Sequence, residues 1–206
     1  MKILAVIIAR ANSTRLKNKN LRKIKKKTLV EITINFVKKI KMIDDVILSS
    51  DSKKINLIAK KKKIKVVKKR PHYLSKKNTP SAHTVIHALK FYEKKYQLID
   101  AIALFQPTSP FREIKFINKC LKKFLKLKKN VVSSSKIEKN NFKGKPNGSI
   151  YLIFKKDLLR FKSFNNKNTL KVYSNDLPQS IDIDNYSDLI KARKLAKTLS
   201  NGQFIK

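Results

Sequence analysis

Two aspartates one residue apart, Asp182 and Asp184, stand out in a chain with 51 basic and only 13 acidic residues. If Ser180 to Asp184 is extended, alternation puts Ile181 and Ile183 on one side and both carboxylates on the other, roughly 7 Å apart at Cα. Such a pair suits a hard, oxygen-seeking Mg²⁺ shared with phosphate oxygens. A solvated strand edge, or acids neutralising a helix start, would give the same spacing without a metal. The complementary chemistry lies at the other end of the chain. There the apolar run Ile3-Leu4-Ala5-Val6-Ile7-Ile8-Ala9 breaks at once into Arg10-Ala11-Asn12-Ser13-Thr14-Arg15-Leu16-Lys17-Asn18-Lys19-Asn20. A buried strand that ends in a small, polar, cationic loop is what an open α/β sheet needs to hold a polyphosphate beyond its strand ends. Arg10, Arg15 and Lys19 supply the charge, and Asn12 and Ser13 complete the phosphate end. The loop is unusual in having no glycine, since none occurs between Met1 and Lys143. Asn tolerates left-handed backbone better than other non-glycine residues. A solvated basic loop would share this composition.

These groups need a scaffold, and short apolar runs that alternate with helical patterns predict a mostly parallel sheet with crossover helices. Strands are expected at 3–9, 45–50, 64–68, 101–106 and 130–134. Helical spacing recurs in Leu29-Ile32-Phe36-Val37-Ile40, in Val85-Ile86-Leu89-Phe91-Tyr92 and in Ile114-Ile117-Leu121-Phe124-Leu125. After Ser135 the pattern changes. Residues 143–147 read as a loop, 149–155 as a strand, 180–183 as a further strand, and 187–199 as a final helix. One domain over 1–199 is expected, with a small appendage and a frayed tail over 200–206.

The formal net charge of +38 suggests a nucleic-acid partner. However, only seven of the basic residues are Arg, and Lys is spread over nearly every segment. No cluster of base-reading Arg and stacking aromatics stands out, so nucleic acid is not the expected partner. The field would still draw in anionic small molecules. No run approaches the roughly 20 apolar residues of a membrane span, and the N-terminal apolar segment lacks a signal-peptide pattern. The single Cys120 fits a reducing cytoplasm, and its apolar helical setting predicts burial. His83 and His87 lie four apart, but no nearby Cys or acid completes a zinc site. Lys60 to Lys63 reads as a solvated helix end.

Six separated motifs carry a family resemblance over about residues 3–195. Ala9-Arg10-Ala11-Asn12-Ser13-Thr14-Arg15-Leu16 with Lys19-Asn20-Leu21 resembles the N-terminal signature of the acylneuraminate cytidylyltransferases. In order and spacing there follow Ser49-Ser50-Asp51, then Arg70-Pro71 with Ser81, and Leu104-Phe105-Gln106-Pro107-Thr108-Ser109-Pro110-Phe111-Arg112. Pro146-Asn147-Gly148-Ser149-Ile150-Tyr151 and Ser180-Ile181-Asp182-Ile183-Asp184 complete the set. The resemblance implies a three-layer, Rossmann-like nucleotidyltransferase fold of the glycosyltransferase-A-like type, with a small dimerisation appendage and a homodimeric assembly. It implies transfer of CMP from CTP to the anomeric hydroxyl of an acidic nine-carbon sugar, with release of pyrophosphate and assistance from Mg²⁺. Arg10, Lys19 and Gln106 would then be catalytic, and Asn20, Arg70 and Ser81 would hold the cytidine. Gln106, Asn147 and Tyr151 would meet the sugar, and Asp182 and Asp184 the metal. Asp51 reads as a supporting residue or a helix N-cap, Arg112 as a brace for its loop, and Asp188 as part of the last helix's start.

The chain departs from that family at three places. Thr14 stands where a phosphate-binding Lys is usual, with Arg15 next to it, and Lys77 stands where an Asp is common. The segment from Ser135 to Asn147 is short and lacks the family's additional basic contacts to the sugar carboxylate. Related branches activate 3-deoxy-octulosonate or spore-coat sugars, and a non-catalytic paralogue that binds nucleotide or nucleic acid is a further alternative. Against the octulosonate branch, Gln106-Pro107-Thr108 stands where that branch has an acidic metal-binding motif.

Overall fold

Ile3 to Ile8 send alternate side chains to two separate hydrophobic cores, so the first strand must be covered on both faces. In the computed structural model, which describes residues 1–135, 144, 146–174 and 177–199, this strand (β1, Ile3–Ile8) lies inside a seven-stranded sheet. It pairs in parallel with β4 (Asp45–Ser49) on one side and β6 (Ala101–Phe105) on the other. Beyond β4 lies β5 (Lys65–Val66), also parallel. Beyond β6 come β8 (Pro146–Phe154), β7 (Val131–Ser135) and β9 (Leu170–Ser174). β8 is antiparallel to both β6 and β7, and β7 is parallel to β9, so β8 runs against the other six strands. A short hairpin, β2 (Lys23–Ile24) and β3 (Lys27–Thr28), stands apart.

Ile3, Ala5 and Ile7 face one core with side chains from α1 (Leu29–Val37), α2 (Lys53–Lys61) and α4 (Ile114–Leu127). Leu4 and Val6 face the other with α3 (Ser81–Lys95) and α5 (Lys155–Phe161). The result is the expected three-layer α/β sandwich. All five residues of β6 are buried, as a strand at the middle of such a sheet requires. Cys120 is buried in the first core, where burial pushes its thiol pKa up to about 12. The lysines at the end of α2 are largely exposed.

A third apolar cluster lies at the carboxyl end of the sheet. There α6 (Tyr186–Thr198) and α1 enclose Leu16, Ile24, Phe111 and Ile183. Leu16 comes from the loop after β1, Phe111 from the segment after β6, and Ile183 from the approach to α6. Burying these three side chains together pins three chemistry-bearing segments side by side. α6 starts with a reciprocal cap in which Asn185 accepts from the Asp188 N–H and Asp188 accepts from the Asn185 N–H. Asp188 thus belongs to the helix start, as its spacing suggests.

The expected strand at 180–183 is not one. Leu177–Ser180 is a 3₁₀ turn, and residues 181–184 run on as irregular chain that joins no strand. The segment crosses the strand ends instead of extending the sheet, with the Ile183 N–H donating to the Thr108 carbonyl at 2.8 Å. Its side chains still alternate, because Ile183 is drawn into the third cluster while Asp182 and Asp184 face the cleft. β9 and α5 carry no clear sequence signal: lysines dilute the alternation of the former, and α5 buries only Leu158. The short 135–147 segment falls largely outside the described residues, as does the 200–206 tail. No described helix is long and apolar enough to cross a membrane.

Candidate active site

The loop after β1 holds its shape without glycine by borrowing acceptors and donors from its neighbours. The Ala11 N–H donates to Asp51 Oδ1 at 2.7 Å, and Asn20 Nδ2 donates to the Arg10 carbonyl at 2.9 Å. Asp51 is therefore the loop's anchor, whereas Ser52 caps α2 by accepting from the Ile55 N–H. Asn18 takes the left-handed turn, with φ 56°, that leads into the 3₁₀ turn Lys19–Leu21.

Opposite this loop, Gln106 leaves the end of β6 and is held from behind by Arg112. Arg112 is fully buried, and its guanidinium donates to the carbonyls of Gln106 and Ser149 and to the Thr33 hydroxyl. Burial lowers its pKa to about 9, against the opposing pull of the Asp182 charge, so it remains a cation at neutral pH. Gly148 sits against the same loop with φ +73°. A Cβ there would come 2.3 Å from Ser109 Oγ and 3.0 Å from Gln106 Oε1.

Arg10, Ser13, Lys19, Asn20, Arg70, Ser81, Gln106, Asp182 and Asp184 all line one cleft of about 250 Å³ at the carboxyl ends of the strands. Cations from the first loop thus face the paired carboxylates. Asn20 Oδ1 and Arg70 Nε are buried with no hydrogen-bond partner, which leaves one acceptor and one donor unused on polar residues of this cleft. The other Arg70 nitrogens donate to the carbonyls of Ser49 and Leu74, and burial lowers its pKa, with Asp51 raising it and Arg10 lowering it further.

Asp184 accepts from Lys19 at 2.8 Å and from Arg15 at 2.7 Å. Its pKa is lowered: burial pushes it up, but Lys19 and Arg15 outweigh that. Asp182 is open to the water of the cleft, yet the crowding walls raise its pKa. The charges of Asp184 and Asp188 add to that rise, against a hydrogen bond from Thr108 and the charge of Lys19. A carboxylate disfavoured in this way is relieved by a cation. Among the described residues no three His, Cys, Asp or Glu side chains converge on one point. The pair nonetheless fits Mg²⁺, which is bound through one or two carboxylates and completes its shell with phosphate oxygens and water.

A second pocket of about 220 Å³ shares Ser81 and Gln106 with the cleft and is walled by Leu104, Tyr151 and Phe164. The Tyr151 and Phe164 rings meet edge to face at 5.6 Å. Burial, with the nearby Asp182 charge, pushes the Tyr151 hydroxyl pKa up to about 12, so it stays protonated.

Other expected residues lie elsewhere. Asn12 is exposed and lines neither pocket, and Arg15 reaches the cleft only through Asp184. Asn147 is buried and lines neither pocket, and its Oδ1 accepts from the Ser133 hydroxyl and the Ser149 N–H. His83 is exposed, and His87 Nδ1 is buried without a partner. The cleft also recruits Thr108, which belongs to the Gln106–Pro110 motif, and Lys76, Lys77 and Thr84, which the sequence motifs do not place there. In the sequence Lys77 stands out only as a departure from the family pattern.

A profile of the cytidylyltransferase family matches residues 4–177. The chain belongs to this family. This cytidylyltransferase is 31% identical over 223 residues to the CMP-N,N'-diacetyllegionaminic acid synthase of Legionella pneumophila, with 95% of the chain and 96% of that protein covered. It is 30% identical over 216 residues to the N-acylneuraminate cytidylyltransferase of Escherichia coli O18:K1:H7, covering 91% of the chain and 50% of that longer protein. Its fold matches a CMP:2-keto-3-deoxy-manno-octonic acid synthetase solved with CTP at a TM-score of 0.73 and 14% identity, over 97% of this chain and 100% of that one. The cytidylyltransferase is thus an enzyme of the nucleotidyltransferase class.

The Gly148 geometry yields a direct expectation. Gly148→Ala should cost about 1–3 kcal/mol of stability through strain at positive φ and overpacking. It should also lower kcat/KM by displacing Gln106. Urea denaturation and steady-state kinetics measure both, and a variant that matches wild type would show that Gln106 does not depend on this close approach.

Proposed function

We propose that this cytidylyltransferase transfers CMP from CTP to the anomeric hydroxyl of a nonulosonic acid and releases pyrophosphate, using Mg²⁺ held by Asp182 and Asp184. The observation that carries the reading is the single cleft in which Arg10, Ser13 and Lys19 face two carboxylates, with an aromatic-walled pocket opening from the same Gln106. A triphosphate laid along the first loop is screened by Arg10 and Lys19 and accepts from Ser13. Asn12 and Arg15 belong to the same phosphate end, with Arg15 close by through Asp184. The unused acceptor of Asn20 and donor of Arg70 match the amino and carbonyl groups of a cytosine, and Ser81 adds a further polar contact. A base that presents the opposite pattern would leave both groups unpaired, which costs more than the contacts it gains.

The acceptor sugar enters through the second pocket, where Gln106 and Tyr151 meet it, while Asn147 holds the start of β8 in place beside that wall. Its hydroxyl oxygen attacks the α-phosphorus, the bond from that phosphorus to the bridging oxygen breaks, and the hydroxyl proton passes to solvent water. Pyrophosphate leaves, and no covalent enzyme intermediate is required. The contribution of the fold is alignment and charge, the two demands of phosphoryl transfer. When bound, Mg²⁺ supplies charge neutralisation on the phosphates. The named activity of the Legionella relative, matched over nearly its whole length, supports an acceptor of the sialic and legionaminic type. The enzyme is proposed to work as a homodimer in the cytoplasm, for which the buried, unpaired Cys120 suits a reducing compartment.

Pyrophosphate release, measured with each nucleoside triphosphate against several nonulosonic acids and octulosonate, tests the assignment. CTP-selective release with a nonulosonic acid is expected, and activity confined to octulosonate or to another nucleotide would overturn it. Asp182→Asn and Asp184→Asn should each lower turnover at least about tenfold, or roughly 1.4 kcal/mol of barrier, with an unchanged circular dichroism spectrum. Wild-type rates in both would remove these carboxylates from the reaction.

A further inference from the structure

We infer that Asp184 has two successive partners: it clamps the first loop through Lys19 and Arg15 in the free enzyme, and the arriving triphosphate frees it to hold the divalent cation. This rests on the metal reading above but adds a sequence of events to it. Both carboxylate oxygens are engaged, Oδ1 by Lys19 Nζ at 2.8 Å and Oδ2 by Arg15 Nη2 at 2.7 Å. Asp182, two residues away, forms no ion pair among the described residues and faces the same cleft. The two acids are therefore not equivalent. One is open to a cation, and the other is already neutralised by two.

A divalent ion entering beside Asp184 would meet two positive charges at ion-pair distance. A triphosphate reverses that balance, because it offers several anionic oxygens to the same cations. Lys19 lines the cleft with its side chain only 12% exposed, so it needs to travel little to exchange a carboxylate for a phosphate. Arg15 is 62% exposed and pays little desolvation to change partners. The exchange makes metal binding to the free enzyme weak. It also couples metal and nucleotide reciprocally, each raising the affinity for the other by the same factor.

Because a triphosphate chelates metal by itself, the test uses nucleotide-free protein. Mn²⁺ is titrated and the free ion is followed by electron paramagnetic resonance at constant ionic strength. Arg15→Gln and Lys19→Met should each tighten Mn²⁺ binding at least about fivefold, the scale of ordinary site coupling. Lys17→Gln removes a charge from the same loop and should have no such effect. In an Asp184→Asn background, adding Arg15→Gln should give no gain, which isolates the pairwise term. Unchanged affinity in Arg15→Gln and Lys19→Met would overturn the inference, as would an equal gain in Lys17→Gln or in the Asp184→Asn background. A nucleotide-free titration of Asp182→Asn in the Arg15→Gln background separates the two readings. Loss of Mn²⁺ binding there supports the metal site, whereas indifference to that substitution would refute the metal reading itself. If Lys19→Met fails to fold, Arg15→Gln, at an exposed position, decides alone.

Discussion

The site depends on a small apolar cluster that has no chemistry of its own. Leu16, Phe111 and Ile183 come from three different segments and are buried together under α1 and α6. Each sits within a few residues of groups that line the cleft: Arg10 and Lys19 in the first case, Gln106 in the second, Asp182 and Asp184 in the third. Once these side chains leave water, at about 1.5–3 kcal/mol each, the polar residues beside them have few places to go. The backbone bond from Ile183 to Thr108 joins two of the three segments directly.

Charge then organises what packing has assembled. Arg112 is a cation buried without a carboxylate bonded to it, and it spends its donors on the carbonyls of Gln106 and Ser149. Leaving those donors unmet would be costly, so the loop that carries Gln106 is locked against β8. The same logic applies at the other wall, where Asp51 fixes the Ala11 N–H and Asp184 fixes Lys19 and Arg15. In a chain of such strong positive charge, Asp51 and Asp184 hold the first loop, and Asp182 and Asp184 face the cleft.

Much of this was legible in the sequence because burial imposes periodicity. β1, β4, β6 and the helices α1, α3 and α4 follow from apolar spacing, and the alternation around Ile181 to Asp184 correctly separated the buried from the cleft-facing side chains. It did not reveal that the segment lies off the sheet, because an irregular extended chain and a strand share the same period of two. β9 and α5 were hidden by lysine and by their shallow burial. The family resemblance sets Asn147 against the sugar, but only the fold shows its oxygen committed to Ser133 and Ser149. Long-range pairings of this kind, like Ala11 with Asp51, leave no local trace.

The central claim is that one cleft holds the nucleotide between the first loop and the paired aspartates. Anomalous diffraction from crystals grown with CTP and Mn²⁺ tests it most directly. The account predicts the triphosphate against Arg10, Ser13 and Lys19, with a manganese peak between Asp182 and Asp184. A nucleotide bound away from the first loop, or manganese distant from both aspartates, would contradict it.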